Sequence, residues 1–223
     1  MFGAQVKGIR GADAQVRSLK DVGEYDVWTT IVVQNAQAGE LMGFAYSVGG
    51  QVAGAAGINA TKIDTNMLVA NQFVDESMSV YAVACQIKRL TEAAFQQVAG
   101  DGTFTATLAD FEAIETHTLF RLHVGGDKPF AEGLLTWFPE AGGLAGMSQV
   151  NNAELISNNV ATPASARKWE YKLPIGRIEK FWAELSWPRV GPAISLHPGS
   201  AGARNGRVGI IVRLLGVRAR GVQ

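Results

Sequence analysis

FWAELSWPRVGPAISLHPGSAGARNGRVGIIVRLLGVRARGVQ, the sequence of residues Phe181–Gln223, decides the fold class of this chain. Alternate residues are apolar in a strand at each end of this stretch, first Phe181, Ala183, Leu185 and Trp187 and then Val208, Ile210, Val212 and Leu214. Such period-two alternation is typical of antiparallel strands that are buried on one face. A glycine-rich excursion joins the two strands, and no helix follows the second one. The stretch therefore predicts an all-β sandwich whose last strand pairs back into a sheet.

The terminal strand, predicted over Arg207–Arg220, changes the parity of its apolar residues at Gly216. A shift of one residue moves every side chain of a strand to the opposite face. We therefore expect a bulge or strand break at 215–217, where glycine tolerates the geometry. This interpretation assigns Val212 and Leu214 to the core, and Arg213, Arg218 and Arg220 to the surface or a subunit interface.

Composition narrows the class of protein. The chain has 223 residues and carries 20 basic and 20 acidic side chains, so its formal net charge is zero. A dedicated nucleic-acid binder normally has a strong basic excess, which is missing here. The single cysteine, Cys85, excludes an internal disulfide and lies in an apolar segment, so we expect a buried thiol. The 26 glycines indicate many turns and long loops.

The chain is expected to form one sandwich domain, residues 25–223, preceded by an N-terminal arm, residues 1–24. The arm is polar and shows no clear period, and it contains no apolar run of the secretory-signal type. Residues Leu41–Thr61 carry no charge, but their many glycines and polar side chains do not favour a membrane helix. We expect a strand over Leu41–Val48, followed by a loop.

Two further elements stand out along the chain. Met78–Leu90 is apolar on both faces, which predicts a strand that is covered on both sides, either in the middle of a sheet or at an interface. Thr107–Glu115 has a capping-box-like start and an apolar stripe, so it is the best helix, and Thr91–Ala99 is a possible second one. Further strands are expected at Tyr25–Gln34, His117–Val124, Trp169–Leu173 and Phe181–Trp187.

The sequence contains little catalytic chemistry. His117 and His123, placed six residues apart on one predicted strand, would lie about 20 Å apart, which is too far for one metal ion. No nucleophile elbow, phosphate-binding loop, dinucleotide fingerprint or zinc-protease motif is present. We therefore expect a protein that is not an enzyme, with no cofactor, no metal ion and no small-molecule substrate.

Candidate contact residues come from two anomalies. Trp28 and Trp182 lie on strand faces opposite the main apolar set, and tryptophan is enriched at the centres of protein interfaces. The C-terminal arginines, among them Arg213, Arg218 and Arg220, follow a stretch with no acid after Glu184. We expect these five residues to lie at a subunit interface. The alternatives are a loop that covers the tryptophans and a solvated strand face that discourages edge aggregation.

The order of these pieces resembles the jelly-roll coat proteins of tailless icosahedral bacteriophages. Three blocks carry the resemblance, and together they cover about half the chain: KIDTNMLVANQFVDESMSVYAVACQI (Lys62–Ile87), LADFEAIETHTLFRLHVGGDKPFAEGLLTWFPEAGGLAG (Leu108–Gly146), and FWAELSWP with VGIIVRLLGVRARGVQ at the C-terminus. The match is one of pattern and order.

The resemblance implies a single jelly-roll antiparallel β-sandwich with one or two short helices in its loops. It implies a virion capsid subunit, made in the host cytoplasm, that self-assembles into an icosahedral shell through loops and sandwich faces. Its partners would be further copies, in a trimer or pseudo-hexamer, and other capsid proteins, with possible contact to an internal membrane or the genome. The alternatives are a spike, receptor-binding or carbohydrate-binding module and, as a more remote reading, a β-sandwich enzyme.

Overall fold

The computed structural model describes residues 22–34, 39–89, 108–140, 145–148, 154–157, 166–188 and 207–220. Within these ranges the chain forms ten strands, one α-helix and one 3-10 turn at Leu135–Trp137. The elements are β1 Val22–Gln34, β2 Glu40–Gly43, β3 Glu76–Arg89, α1 Leu108–His117, β4 Leu119–Val124, β5 Pro129–Leu134, β6 Ala145–Ser148, β7 Glu154–Ser157, β8 Arg167–Ile175, β9 Phe181–Ser186 and β10 Arg207–Arg220.

Eight of the strands form two antiparallel four-stranded sheets. Sheet I has the order β1-β10-β3-β8 and sheet II the order β2-β9-β4-β5, while β6 and β7 form a separate hairpin. The first half of the chain pairs with the second half in reverse: β1 with β10, β2 with β9, β3 with β8 and β4 with β5. A folded ribbon wound in this way into two sheets is a jelly roll. The predicted all-β jelly-roll sandwich is therefore confirmed.

The core fills the space between the two sheets. The alternating apolar residues of β9 and β10 face inward and are buried, as the sequence predicts. Aromatic rings occupy the middle: Phe181 lies 5.4 Å from Phe44 and 4.9 Å from Phe73 between ring centroids, and Phe120 lies 4.7 Å from Phe138. These tilted arrangements are the ones that aromatic pairs prefer. Val212 and Leu214 are fully buried, which confirms their assignment to the core.

The irregularity predicted near Gly216 exists, but the extra residue lies in the neighbouring strand. The register between β10 and β3 shifts between Leu215 and Gly216, because Leu215 pairs with Ala82 and Gly216 with Val80. Tyr81 of β3 is therefore the bulged residue. β10 itself pairs with β1 without interruption through Gly216. The expectation that β10 changes face at this point is wrong, and the face change belongs to β3.

The bulge explains why β3 is apolar on both faces. Met78 and Val80 before the bulge, and Val83, Cys85 and Ile87 after it, all belong to the main core. Ala82 and Ala84 form a second buried cluster on the outer face, and both are fully covered. β3 lies between β10 and β8, so the prediction of a central, doubly covered strand is confirmed. Regular alternation would place Met78 and Val80 on the same face as Ala82 and Ala84, but the bulge at Tyr81 puts the two pairs on opposite faces.

Residues 44–67 cover the free edge of β1. The backbone N–H groups of Thr30 and Val32 donate to the carbonyls of Asp64 and Ala53, at 2.8 Å each. The N–H of Trp28 donates to Oδ1 of Asn66 at 3.0 Å. Because these donors are occupied, the edge offers no template for pairing with another strand. This loop also buries the outer side of Val32.

Tyr46 attaches that loop to the edge strand. Its hydroxyl accepts from the backbone N–H of Thr30 at 3.1 Å and donates to the carbonyl of the same residue. Burial raises the pKa of Tyr46 to about 12. The phenol is therefore held as a neutral, bonded group inside the loop.

One short segment joins the two sheets at the other side of the sandwich. After β5 and the 3-10 turn, the chain crosses to sheet I, where the N–H of Cys85 donates to the carbonyl of Phe138 at 2.6 Å and the N–H of Glu140 donates to the carbonyl of Cys85 at 3.2 Å. Cys85 is buried as predicted, and burial raises the pKa of its thiol well above the usual range. The cysteine therefore packs as a small apolar residue at this junction.

Several predicted boundaries shift. β2 ends at Gly43, because Phe44 adopts a left-handed conformation with φ of 62°, so the predicted strand over Leu41–Val48 is too long. His117 is the last residue of α1 whereas His123 lies in β4, so the two do not share a strand. β8 continues through Pro174, which is tolerated because β8 is an edge strand.

Other predictions fall outside the described residues. These are the possible helix Thr91–Ala99, the capping residue Thr107 and residues 1–21 of the expected arm. β1 begins at Val22, three residues before the predicted start at Tyr25, and the division into arm and sandwich domain stays a prediction. Among the described helices, none has the length and apolar character needed to cross a membrane.

Substituting Gly216 tests the bulge. A Cβ at Gly216 would lie 2.6 Å from both Cε of Met78 and the carbonyl oxygen of Ser79, so Gly216→Ala forces the bulged β3 away. We expect the free energy of unfolding to fall by about 1–3 kcal/mol, the usual effect of overpacking. Gly126→Ala is the matched control, because nothing lies within 4 Å of its Cβ position. Equal stability of the two variants in urea unfolding would contradict the structure of the bulge.

Alkaline unfolding tests the burial of Tyr46. The unfolded chain ionises this phenol near pH 10, whereas the folded chain keeps the proton up to about pH 12. The free energy of unfolding should therefore fall between these values, by about 1.4 kcal/mol per pH unit from this group. Tyr46→Phe should remove that part of the slope, and should lower stability at pH 7 by about 1–3 kcal/mol because the carbonyl of Thr30 loses the hydroxyl that donates to it. An unchanged slope in the variant would contradict this assignment.

Candidate functional site

The five residues predicted at a subunit interface do not form one site. Trp28 of β1 and Arg213 of β10 are cross-strand partners on the outer face of sheet I. Trp182 lies on the outer face of sheet II, and Arg218 lies at one end of the sandwich. The backbone of Arg220 belongs to β10, but its side chain lies outside the described residues. The structure therefore divides the predicted set among three regions, and their role in an interface stays a prediction.

Arg213 has partners within its own chain. Its guanidinium donates to the carboxylates of Asp26 on β1 and Glu140 in the segment that joins the two sheets. The side chain remains about one third exposed, beside Trp28. Arg213 thus links β1 to the segment that joins the two sheets, and any contact with a second molecule would have to use the exposed part of this cluster.

Trp182 covers a polar cluster on the outer face of sheet II. Its ring stacks on the imidazole of His123, with 4.7 Å between centroids and 5° between planes. Arg121 donates to Glu184 at 2.6 Å and to Glu132 at 2.8 Å. Nε2 of His123 lies 3.4 Å from Oε2 of Glu184, which is long for a hydrogen bond.

The imidazole of His123 is the least satisfied group of this cluster. The side chain is buried, and neither ring nitrogen has a hydrogen-bond partner. A buried polar group without a partner costs about 1–3 kcal/mol. Among the described residues, no group of three histidine, cysteine, aspartate or glutamate side chains could hold a metal ion.

Arg218 lies on the inner face of β10, because β10 does not change face at Gly216. β10 keeps its parity through Gly216, so Arg218 continues the row of Val212 and Leu214 at the end of the core. Its guanidinium lies 4.3 Å from the ring centroid of Tyr25 and donates to Glu76. The arginine therefore closes one end of the sandwich by a cation–π contact and an ion pair.

This end of the sandwich, which we call the loop end, consists of Phe44 together with residues 68–75, 125–128 and 176–180. Hydrogen bonds connect its parts: the N–H of Gly125 donates to the carbonyl of Lys180, and the N–H of Ile178 to the carbonyl of Phe73, at 2.8 Å each. The carboxylate of Glu179 accepts from the N–H of Gly176 at 2.6 Å and so closes the 176–179 turn on itself.

The described non-glycine residues with positive φ all belong to the loop end. They are Phe44, Asn71 and Ile178, with φ of 62°, 61° and 56°. The N–H of Asn71 donates to the carbonyl of Phe44, and the carbonyl of Asn71 accepts from Phe181. Asparagine tolerates this conformation, but for β-branched Ile178 it is strained. Such strain persists only where the surroundings impose it, and it is concentrated at functional sites.

Large aliphatic side chains are exposed on the loop end. Leu68 is 84% exposed, Ile178 is 72% exposed and Val74 is 46% exposed. Val74 and Ile178 are neighbours, because Phe73 and Arg177 form a parallel bridge. Sequence reasoning missed these three residues, since a single apolar residue in a loop has no periodic partner that would mark it.

A cavity of about 90 Å³ opens beside these side chains. Most of its lining is apolar and includes Tyr25, Val27, Met67, Phe73, Leu68 and Val74. Its polar lining residues are Asn66, Gln72, Asp75, Glu76 and Arg218. A largely apolar cavity of this kind is suited to accept an aliphatic side chain.

The two free sheet edges on the opposite side from β1 are irregular. In β5, Phe130 is an extra residue in the pairing with β4, and in β8 the segment Trp169–Lys172 lies opposite the single residue Tyr81. The rings of Phe130 and Trp169 meet edge to face at 5.2 Å. Bulges of this kind discourage strand-to-strand addition. Association at this side would therefore use side chains such as Tyr171, which is 79% exposed.

Comparisons with known proteins add no assignment. A scan against protein-family models, a search of curated proteins and a search of solved structures each found no match to this chain.

Replacing His123 tests the polar cluster. His123→Phe keeps a flat ring on Trp182 and removes two buried nitrogens that have no partner, so we expect the free energy of unfolding at pH 7 to rise by about 1 kcal/mol. Trp182→Ala is the comparison variant and should lower stability, because it removes the stacked surface. A loss of stability in His123→Phe would contradict the prediction and would show that the imidazole makes a hydrogen bond.

Proposed function

We propose that this chain is a virion structural protein, a coat subunit that self-assembles into an icosahedral shell through its loops and sandwich faces. The jelly roll is one of the folds of viral capsid proteins, and it also occurs in lectins and in cupins. Fold alone does not assign function, so the proposal depends on the surfaces that this jelly roll presents.

The observation that carries the proposal is the position of the exposed apolar side chains. Leu68 and Ile178 are far more exposed than a core residue and lie at the loop end, whose segments are held together by hydrogen bonds. Exposed apolar groups with a polar rim are typical of protein–protein contacts. At the same time the edge of β1 is covered and the edges of β5 and β8 are bulged. Three of the four edges of the two sheets are therefore suited to side-chain contacts that do not lead to open-ended strand pairing.

The neutral charge is also compatible with dense packing of identical copies. Twenty basic and twenty acidic residues give no net repulsion between subunits. The proposed partners are further copies, as a trimer or pseudo-hexamer, and other capsid proteins, with possible contact to an internal membrane or the genome. The proposed location is the virion.

Electron microscopy of the purified chain tests the proposal. We expect regular particles, or capsomers that grow into particles as the protein concentration rises, in negatively stained samples and in sedimentation velocity. The variant Gly216→Ala serves as the folding control, because a loss of core packing should reduce assembly without any change at the surface. A species that stays monomeric at every concentration would contradict the proposal, and turnover of a small molecule by that monomer would favour an enzyme.

A second candidate function, a spike, receptor-binding or carbohydrate-binding module, is favoured by the exposed aromatic residues. Tyr171 is 79% exposed, Trp137 54% and Phe130 48%. Small discrete oligomers that never form particles, with glycan binding that Tyr171→Ser abolishes and Lys172→Ser leaves unchanged, would support this candidate over the coat subunit.

A further inference from the structure

The loop end combines a protruding aliphatic side chain with a cavity of matching chemistry. Ile178 is 72% exposed and takes no part in the buried clusters of the core. The cavity of about 90 Å³ lies next to it, since Val74, which lines the cavity, is the neighbour of Ile178. This volume is smaller than the cavity of about 150 Å³ that accepts benzene, and it is of the size of an aliphatic side chain.

The left-handed backbone conformation of Ile178 indicates that its exposed side chain has a function. A left-handed conformation disfavours β-branched residues, and strain of this kind costs on the order of 1–3 kcal/mol. Glycine or asparagine would adopt φ of 56° with less strain. Within its own subunit the exposed side chain of Ile178 makes no buried contact that would offset this strain. The geometry is therefore explained by a contact outside the subunit.

The charges around the loop end identify the kind of partner. Arg177 and Asp75 are 58% and 78% exposed in their side chains and approach each other only to 3.9 Å, and Glu76 pairs with Arg218 close by. This rim carries opposite charges side by side, so it complements a rotated copy of itself. A polyanion or an anionic membrane surface would instead require an excess of basic residues.

We propose that the loop end is a self-complementary, two-fold contact between two copies of this chain. Ile178 of each copy enters the cavity between Tyr25 and Phe73 of the other copy. Arg177 of each copy pairs with Asp75 of the other across the axis. In a two-fold contact the same pair of residues meets twice, so one protruding side chain and one cavity per copy are sufficient. The inference rests on the proposed self-assembly and specifies one of its contacts.

The first test separates the contact from the fold. Ile178→Asn removes the protruding side chain and suits the left-handed backbone, so the monomer should be at least as stable as the wild type. Self-association can be measured by sedimentation velocity at protein concentrations of roughly 1 to 100 µM, which is the range of weak assembly contacts. We expect the dissociation constant for self-association of Ile178→Asn to be at least tenfold higher than that of the wild type. The matched control is Ile63→Asn, because Ile63 is 70% exposed but does not line the cavity.

The outcomes distinguish this inference from the proposed function. Loss of self-association in Ile178→Asn but not in Ile63→Asn supports the contact. If Ile178→Asn forms particles as readily as the wild type does, the proposed contact is overturned and the coat function is unaffected. Two-fold dimers that never grow into particles support the contact and contradict the coat function. A wild-type chain that remains monomeric over the whole range overturns both.

A second test uses the charged rim. Asp75→Arg and Arg177→Asp should each weaken self-association, because like charges then face each other across the axis. An equimolar mixture of the two variants should associate more tightly than either alone, since every cross-axis pair in the mixed dimer is again of opposite sign. A mixture that associates no better than the separate variants would overturn the proposed pairing.

Discussion

The position of β10 between β1 and β3 is the constraint on which the rest of the structure depends. β10 completes sheet I, because it pairs with β1 on one side and with the doubly covered β3 on the other. These pairings join residues that are far apart in sequence, so sheet I cannot close until β10 has been placed. The bulged β3 approaches Gly216 so closely that a side chain at this position of β10 would clash with it.

The edges of the two sheets and the loop end of the sandwich differ in their capacity to bind another molecule. The edge of β1 is occupied by the 44–67 loop through backbone hydrogen bonds, and the edges of β5 and β8 are bulged. At the loop end, by contrast, a hydrogen-bonded frame holds Ile178 exposed in a strained conformation beside an apolar cavity. A rigid frame makes such a surface suitable for binding, because little conformational freedom remains to be lost on contact.

Regular alternation let the sequence predict the strands well, above all Arg207–Arg220, whose bounds agree with the structure. The parity change at Gly216 was also visible, but the strand that carries the extra residue was not, because register between strands is a property of two distant segments. For the same reason the adjacency of Trp28 and Arg213, and the stacking of Trp182 on His123, could not be seen. Leu68, Val74 and Ile178 left no periodic signal at all.

Electron cryomicroscopy of the assemblies formed by the wild-type chain would show directly how neighbouring copies meet. We expect density for an eight-stranded roll in each copy, with neighbouring loop ends in contact across local two-fold axes and Ile178 of one copy within the cavity of the next. An assembly in which every loop end faces solvent, or a preparation that contains only isolated copies, would contradict this expectation.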